Sequence, residues 1–130
     1  MIDTTIQEFS KRFLALERLF GFQEEAVKLL LEGENVVLRA PTGSGKTVVP
    51  ILAYTYSKEN HYELWDRLIY VVPLRSLASA QYNEYGKFLS NYGASIQIGG
   101  ESRDEKFEQN VIFCTIDQLL GGYLTLPIGI

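Results

Sequence analysis

Arg39-Ala-Pro-Thr-Gly-Ser-Gly-Lys-Thr-Val48 is the stretch on which the reading of this chain turns. The phosphate-loop pattern is Gly, four residues, then Gly-Lys-Ser/Thr. Here Ala40 takes the first position and Pro41 to Thr47 conform. Alanine is tolerable there if the position needs little room and no positive φ, whereas Gly43 and Gly45 leave space for a backbone to approach phosphate oxygens. Backbone N–H groups from Gly43 through Ser44 and Gly45 to Thr47 would form an anion nest at a helix N-terminus, where the helix dipole also favours negative charge. In that pattern Lys46 reaches the β- and γ-phosphates of a nucleotide and the Thr47 hydroxyl lies on Mg2+. Thr42 belongs to the same cradle. A turn alone would explain the glycines, but not Gly-Lys-Thr entering a helix.

The flanking residues supply the context that the loop requires. Asn35-Val-Val-Leu-Arg39 is an apolar run of strand length before it, and an apolar helix begins near Gly45 after it. Upstream, Ile2, Ile6, Phe9, Phe13, Leu16 and Phe20 recur at steps of three and four, which predicts an amphipathic helix over 1–20 packing on the core. A second helix is expected from Gln23 to Glu32, with Gly33 in the left-handed cap position. Downstream, Leu68–Val72 reads as a buried strand stopped by Pro73, followed by a helix over Ser76–Ser90. Strands over Ser95–Ile98 and Val111–Cys114 and a short helix over Asp117–Leu120 complete the series. Strand and helix alternating in this order predict an α/β fold, a parallel sheet with crossover helices of the phosphate-loop NTPase class.

Composition narrows the chemistry. With 130 residues, 46% hydrophobic, the chain is the size of one domain. Its net charge of -4 provides no global cationic field, so any nucleic-acid contact has to come from a local cluster of donors. One cysteine, Cys114, makes no internal disulfide, and one histidine, His61, builds no multi-histidine metal site. Cys114 is expected to be a buried strand residue rather than a nucleophile. Asp3, Glu8, Lys11, Arg12, Glu17 and Arg18 interrupt the N-terminal segment, so no signal peptide or membrane span is expected and a cytoplasmic protein is the simplest reading.

Ala40-Pro-Thr-Gly-Ser-Gly-Lys-Thr47 resembles the first motif of superfamily 2 helicases, and further segments fall where that family has them. The resemblance implies a RecA-like N-terminal lobe using ATP and Mg2+, with Gln23 reading adenine and Phe20 or Phe22 offering an aromatic contact. Val72-Pro-Leu-Arg-Ser-Leu-Ala78, the Gly99-Gly100 doublet and Thr115-Ile-Asp117 resemble the motifs that track a nucleic-acid strand. It thus implies Pro73, Arg75, Gly100, Thr115 and Asp117 as contacts to single-stranded DNA. The same positions have plainer readings: Gly99 and Gly100 as a turn, and Thr115 as a helix N-cap with Asp117 in the first turn.

Within the superfamily, Leu16–Phe22, Pro73–Ala78 and Thr115-Ile-Asp-Gln-Leu-Leu120 look most like the CRISPR-associated helicase of type I systems. That resemblance implies a DNA helicase of antiviral defence, associated with the remainder of the helicase, with a CRISPR surveillance complex and with a nuclease. The nuclease is expected to be separate, because its histidine-aspartate metal site needs more than His61.

The family's second motif is an Asp-Glu pair at the end of an apolar strand, where it holds magnesium and positions the attacking water. The only Asp-Glu pair here, Asp104-Glu105, stands before the threonine motif in a charged context. The expectation is therefore a partial helicase ATP-binding domain over 1–130 that binds ATP without hydrolysing it. Its loop strand would normally pair with later strands, which implies an exposed apolar sheet edge. A nucleotide-binding interaction module and a non-helicase phosphate-loop enzyme are the other readings open at this point.

Overall fold

A computed structural model describes residues 2–14, 18–41, 43–62, 64–98 and 109–120. The chain divides into two compact units, Met1–Trp65 and Asp66–Ile130. Among the described residues no helix is long and apolar enough to cross a membrane.

The first unit is helical. Helix α1 (Ile2–Leu14) and helix α2 (Gly21–Leu31) both pack on α3 (Val48–Glu59). The α3 sequence is apolar around nearly its whole circumference, and the chain buries it accordingly, from Val48 through Ile51 and Leu52 to Tyr56. Thr55 fits there because its hydroxyl donates to the Ile51 carbonyl at 2.7 Å, which satisfies a polar group the helix interior would otherwise strand. Phe9 of α1 stacks on Phe13 at 5.2 Å and meets the Tyr56 ring edge-on at 5.5 Å.

Helices α2 and α3 end in the same way. After α2, Gly33 N–H donates to Leu30 O and Glu34 N–H to Leu29 O, with Gly33 at φ +85°. After α3, His61 N–H donates to Lys58 O and Tyr62 N–H to Ser57 O, with His61 at φ +57°. These are Schellman closures, which satisfy the orphan carbonyls of a last turn by placing one residue in the left-handed region. Gly33 takes the position the sequence predicts for it, while His61 holds the equivalent place without glycine's freedom.

Two expectations in this unit are corrected. The first helix is described to Leu14 and does not reach Phe20, since residues 18–20 carry no regular structure; Leu19 is buried, whereas Phe20 is 58% exposed and precedes α2. Asn35–Arg39 forms no strand: residues 34–41 carry no regular structure and Val37 is 86% exposed. A strand exists only through its ladder partners, and none of the described strands pairs with this run. The apolar exposure expected of it is present at Val37, but not as the edge of a sheet.

The second unit is the parallel α/β part. Strands β1 (Leu68–Val72), β2 (Ala94–Gln97) and β3 (Val111–Thr115) form a sheet of order β1-β3-β2, every pair parallel. Helix α4 (Arg75–Leu89) and a 3-10 turn over Ser90–Tyr92 connect β1 to β2. The central strand β3 is buried at every position, as a parallel strand covered on both faces should be. On one face Phe113 takes Tyr82 of α4 edge-on at 5.8 Å and Tyr70 at 5.4 Å; Ile112 and Cys114 pack with Ile69, Val71 and Leu119. Cys114 is the buried strand residue that the sequence predicts. Arg67 adds a tie at the strand entrances, its guanidinium donating to Gln109 O at 2.9 Å.

Candidate functional site

In the first unit the phosphate-loop residues close on themselves. Ser44 N–H donates to Pro41 O at 3.1 Å, and the Ser44 hydroxyl donates to the same carbonyl at 2.5 Å. Lys46 Nζ donates to Ala40 O at 2.6 Å, across the mouth of the loop. Gly43 and Gly45 hold φ of +83° and +90°, which side-chain-bearing residues rarely adopt, whereas Ala40 has no positive φ. The first position of the loop therefore needs no glycine, and the alanine there is explained. Of the amides expected to form a nest, that of Ser44 is committed to Pro41. Thr47 stands at αR as the N-cap of α3 without a side-chain capping bond. Thr42 lies outside the described residues.

Gln23 is tied to this loop. Its Nε2 donates to Gly45 O at 2.9 Å, while its Oε1 accepts the Phe20 N–H at 2.8 Å. One amide thus caps the start of α2, where Phe20 has no side-chain acceptor to offer, and holds the backbone just before Lys46. The side chain is 5% exposed, so most of its surface faces these contacts. Phe20 and Phe22 stack at 6.3 Å with 13° between their planes, beside Gln23 in sequence.

Sequence reasoning did not find Gln7. Its side-chain Oε1 accepts the Leu19 N–H at 2.9 Å and its Nε2 donates to Leu19 O at 3.3 Å, pinning the chain as it enters the Gln23 turn. Nε2 also donates to Glu24 Oε2 at 3.4 Å. A glutamine on the polar margin of α1 carries no pattern that announces a partner twelve residues away.

In the second unit, the residues expected along a nucleic-acid strand come together at the carboxyl ends of β1 and β3. Val72 and Thr115 are register partners at the last rung, so Pro73 and Arg75 leave from one strand end and Asp117 from the neighbouring one. Open parallel sheets bind their ligands at this end. Arg75 opens α4 and is exposed; among the described residues it forms no ion pair. Thr115 is 2% exposed and caps α5 (Ile116–Gln118) with extended backbone, φ -90° and ψ 162°, but without a side-chain capping bond. Its hydroxyl instead holds the exposed Asp117 carboxyl below the usual carboxylate range, helped by the backbone of Asp117 and the side chain of Gln118. Burial pushes the neighbouring Cys114 thiol up to about 11, and Asp117 adds to the rise. Gly99, Gly100, Asp104 and Glu105 lie outside the described residues.

The loop's donor set fits a nucleotide phosphate: left-handed glycines flank it, and an added Cβ at Gly43 would meet open space. A lysine amine already sits on a loop carbonyl, within reach of anything the loop encloses. For a magnesium ion the described residues supply the Thr47 hydroxyl and no cluster of three acidic, histidine or cysteine ligands. Such an ion would take most of its oxygen ligands from phosphates and water.

Comparison with known proteins agrees with these motifs. The DEAD/DEAH box helicase family matches residues 20–124. The chain is 34% identical over 117 residues, 88% of its length, to the ATP-dependent DNA helicase Hel308 of Aeropyrum pernix. It is 29% identical over 115 residues, 79% of its length, to the U5 small nuclear ribonucleoprotein 200 kDa helicase of Homo sapiens. To the ATP-dependent RNA helicase DBP4 of Chaetomium globosum it is 34% identical over 114 residues, 80% of its length. It spans only 15%, 5% and 14% of those three proteins. The superfamily 2 resemblance is therefore shown at the level of the family, with relatives named for DNA and for RNA. From the turn that Gln23 caps to the threonine motif after β3, the chain belongs to the DEAD/DEAH box helicase family.

Proposed function

We propose that this chain is the ATP-binding portion of a superfamily 2 helicase and carries part of its single-stranded nucleic-acid track. The observation that carries the reading is the Gln23–Gly45–Lys46 arrangement, one amide holding the loop backbone just before the lysine that bridges the loop to Ala40. Helicase domains of this family use ATP, typically with Mg2+. Lys46 contacts the β- and γ-phosphates, the backbone from Thr42 to Thr47 cradles them, and Thr47 faces the Mg2+ ion. Gln23 is assigned to adenine from sequence, beside the two stacked phenylalanines; reading a base would require its amide to exchange the Gly45 O and Phe20 N–H contacts it makes here. Because Lys46 and Ser44 are bonded to loop carbonyls, phosphates enter by replacing those contacts, with an oxygen taking over from Ala40 O as the partner of Lys46.

Pro73, Arg75, Thr115 and Asp117 form the track in the second unit, with Gly100 assigned to it from sequence alone. The narrower reading, a CRISPR-associated DNA helicase of antiviral defence, rests on the wording of Pro73–Ala78 and Thr115–Leu120. Relatives named as DNA and RNA helicases support a general superfamily 2 helicase equally well. Residues 1–130 act as a partial lobe, working with the rest of a helicase. Turnover is not expected of this chain alone, since its only Asp-Glu pair precedes the threonine motif. Calorimetric titration with MgATP, paired with a phosphate-release assay, tests this: saturable binding without release is expected, and absence of binding would remove the proposal.

A further inference from the structure

Two glutamines from different helices hold opposite ends of one peptide group. Residues 18–20 carry no regular structure, yet Leu19 is 2% exposed, so its backbone polar groups need partners from elsewhere in the fold. Gln7 of α1 supplies them: its Oε1 accepts the Leu19 N–H at 2.9 Å and its Nε2 donates to Leu19 O at 3.3 Å. The Leu19 carbonyl and the Phe20 N–H belong to the same planar peptide unit. That N–H donates to Gln23 Oε1 at 2.8 Å, and Gln23 Nε2 donates onward to Gly45 O at 2.9 Å. The Gly45 carbonyl in turn shares its peptide plane with the Lys46 N–H, which has no acceptor among the described residues.

Amide groups are thus joined head to tail, each N–H donating to the next carbonyl, from the Gln7 side chain to the Lys46 backbone. In such a chain the bonds polarise one another and the dipoles align, leaving the positive end at the last N–H. Here that end is a donor of the loop proposed to cradle phosphates. A primary amide both accepts and donates, so glutamine can serve as the first link where methionine or glutamate cannot. We infer that Gln7 is a positioning residue for the phosphate loop: through the Leu19–Phe20 peptide and Gln23 it fixes the Gly45–Lys46 peptide and strengthens its N–H as an anion donor. This rests on the proposed phosphate binding and deepens it, adding a residue that precedes the region matched by the helicase family, 20–124.

The test reads both ends of the relay in the whole chain. Magnesium tripolyphosphate is the titrant, because it has no base to draw the Gln23 amide off Gly45. Gln7→Met, folded by circular dichroism, should bind it roughly threefold to tenfold more weakly, the range of one lost hydrogen bond felt at a distance. In a Gln23→Ala background the same substitution should have no further effect, whereas a merely structural loss would lower affinity in both. Gln7→Glu still accepts the Leu19 N–H but cannot donate to Leu19 O, so it should behave like Gln7→Met. In the chain without ligand, the Lys46 amide resonance should move in either Gln7 variant and stay put when Gln23 is already alanine. A Lys46 resonance that Gln23→Ala moves and Gln7→Met does not, or equal weakening in both backgrounds, overturns the inference. If the wild type does not bind tripolyphosphate, the phosphate reading fails and the resonance alone decides the relay. Should neither Gln7 variant fold, scalar couplings across the Gln7–Leu19 and Gln23–Gly45 bonds of the wild type decide it, and their absence overturns it.

Discussion

Gln23 Nε2 donates to the Gly45 carbonyl at 2.9 Å, and the same nitrogen lies 2.5 Å from where a Cβ on Gly45 would fall. The contact that ties the helix α2 cap to the phosphate loop thus also crowds the loop's last glycine position, where the φ of +90° already favours glycine. Gly45→Ala faces two separate costs, a φ of +90° and the collision with the Gln23 amide. Together they should destabilise the first unit by about 1–3 kcal/mol. Adding Gln23→Ala relieves the collision but not the strain, so chemical denaturation of the double variant should show less than the sum of the two single losses.

His61 offers the opposite opportunity. It closes α3 at φ +57°, where a Cβ costs roughly 1 kcal/mol, and its side chain is exposed. His61→Gly should therefore raise stability by up to about that amount, less the added entropy of the unfolded chain. A drop in the denaturation midpoint would show that the histidine side chain contributes more than its backbone strain removes.

Val37 tests whether its segment stands outside the sheet. At 86% exposure it has almost no packing to lose, so Val37→Glu should change stability by no more than about 0.5 kcal/mol. A loss of several kcal/mol, measured by urea unfolding, would mean that the run is a buried strand after all.

The second unit should weaken in alkali. Burial lifts the Cys114 thiol from 9.0 to about 11. Folded and unfolded chains are both protonated below about pH 9, so stability is full there; above it the unfolded thiol ionises first, and stability falls until the folded value is reached. Tyr85, lifted from 10.0 to about 12 mainly by burial and then by Glu84 and Tyr70, extends the fall in the same direction. Thermal melts across this range should lose part of their slope in Cys114→Ala, and the folded thiol should resist alkylation near neutral pH. An equal slope in that variant would place the effect elsewhere.

How much of this was legible in the sequence depended on whether a feature is local. The Gly33 closure, the strand over Leu68–Val72 and the buried Cys114 follow from residue type and spacing, because each is decided by a few neighbours. Asn35–Arg39 has equal strand character, but a strand needs a ladder partner, which no local pattern supplies. The three-and-four spacing that predicts a helix through Phe20 has given way by residues 18–20, which carry no regular structure, and Leu19 takes the buried place. At the site, the loop lysine and glycines were readable from their order. Gln23's hold on Gly45 and Gln7's on Leu19 were not, since amide pairs across 22 and 12 residues depend on the folded path. Thr115 was placed correctly as a cap by its backbone, but its hydroxyl is directed to Asp117.

The most direct measurement is MgATP titration of the chain and of Lys46→Ala, with circular dichroism confirming that both are folded. Lys46 is half-buried and donates to Ala40 O in the structure, so its removal leaves the loop glycines and Gln23 in place while deleting the cation proposed to meet the phosphates. The account predicts saturable binding by the wild type and its loss in Lys46→Ala. Unchanged binding by the folded variant would contradict the phosphate-loop assignment on which everything else rests.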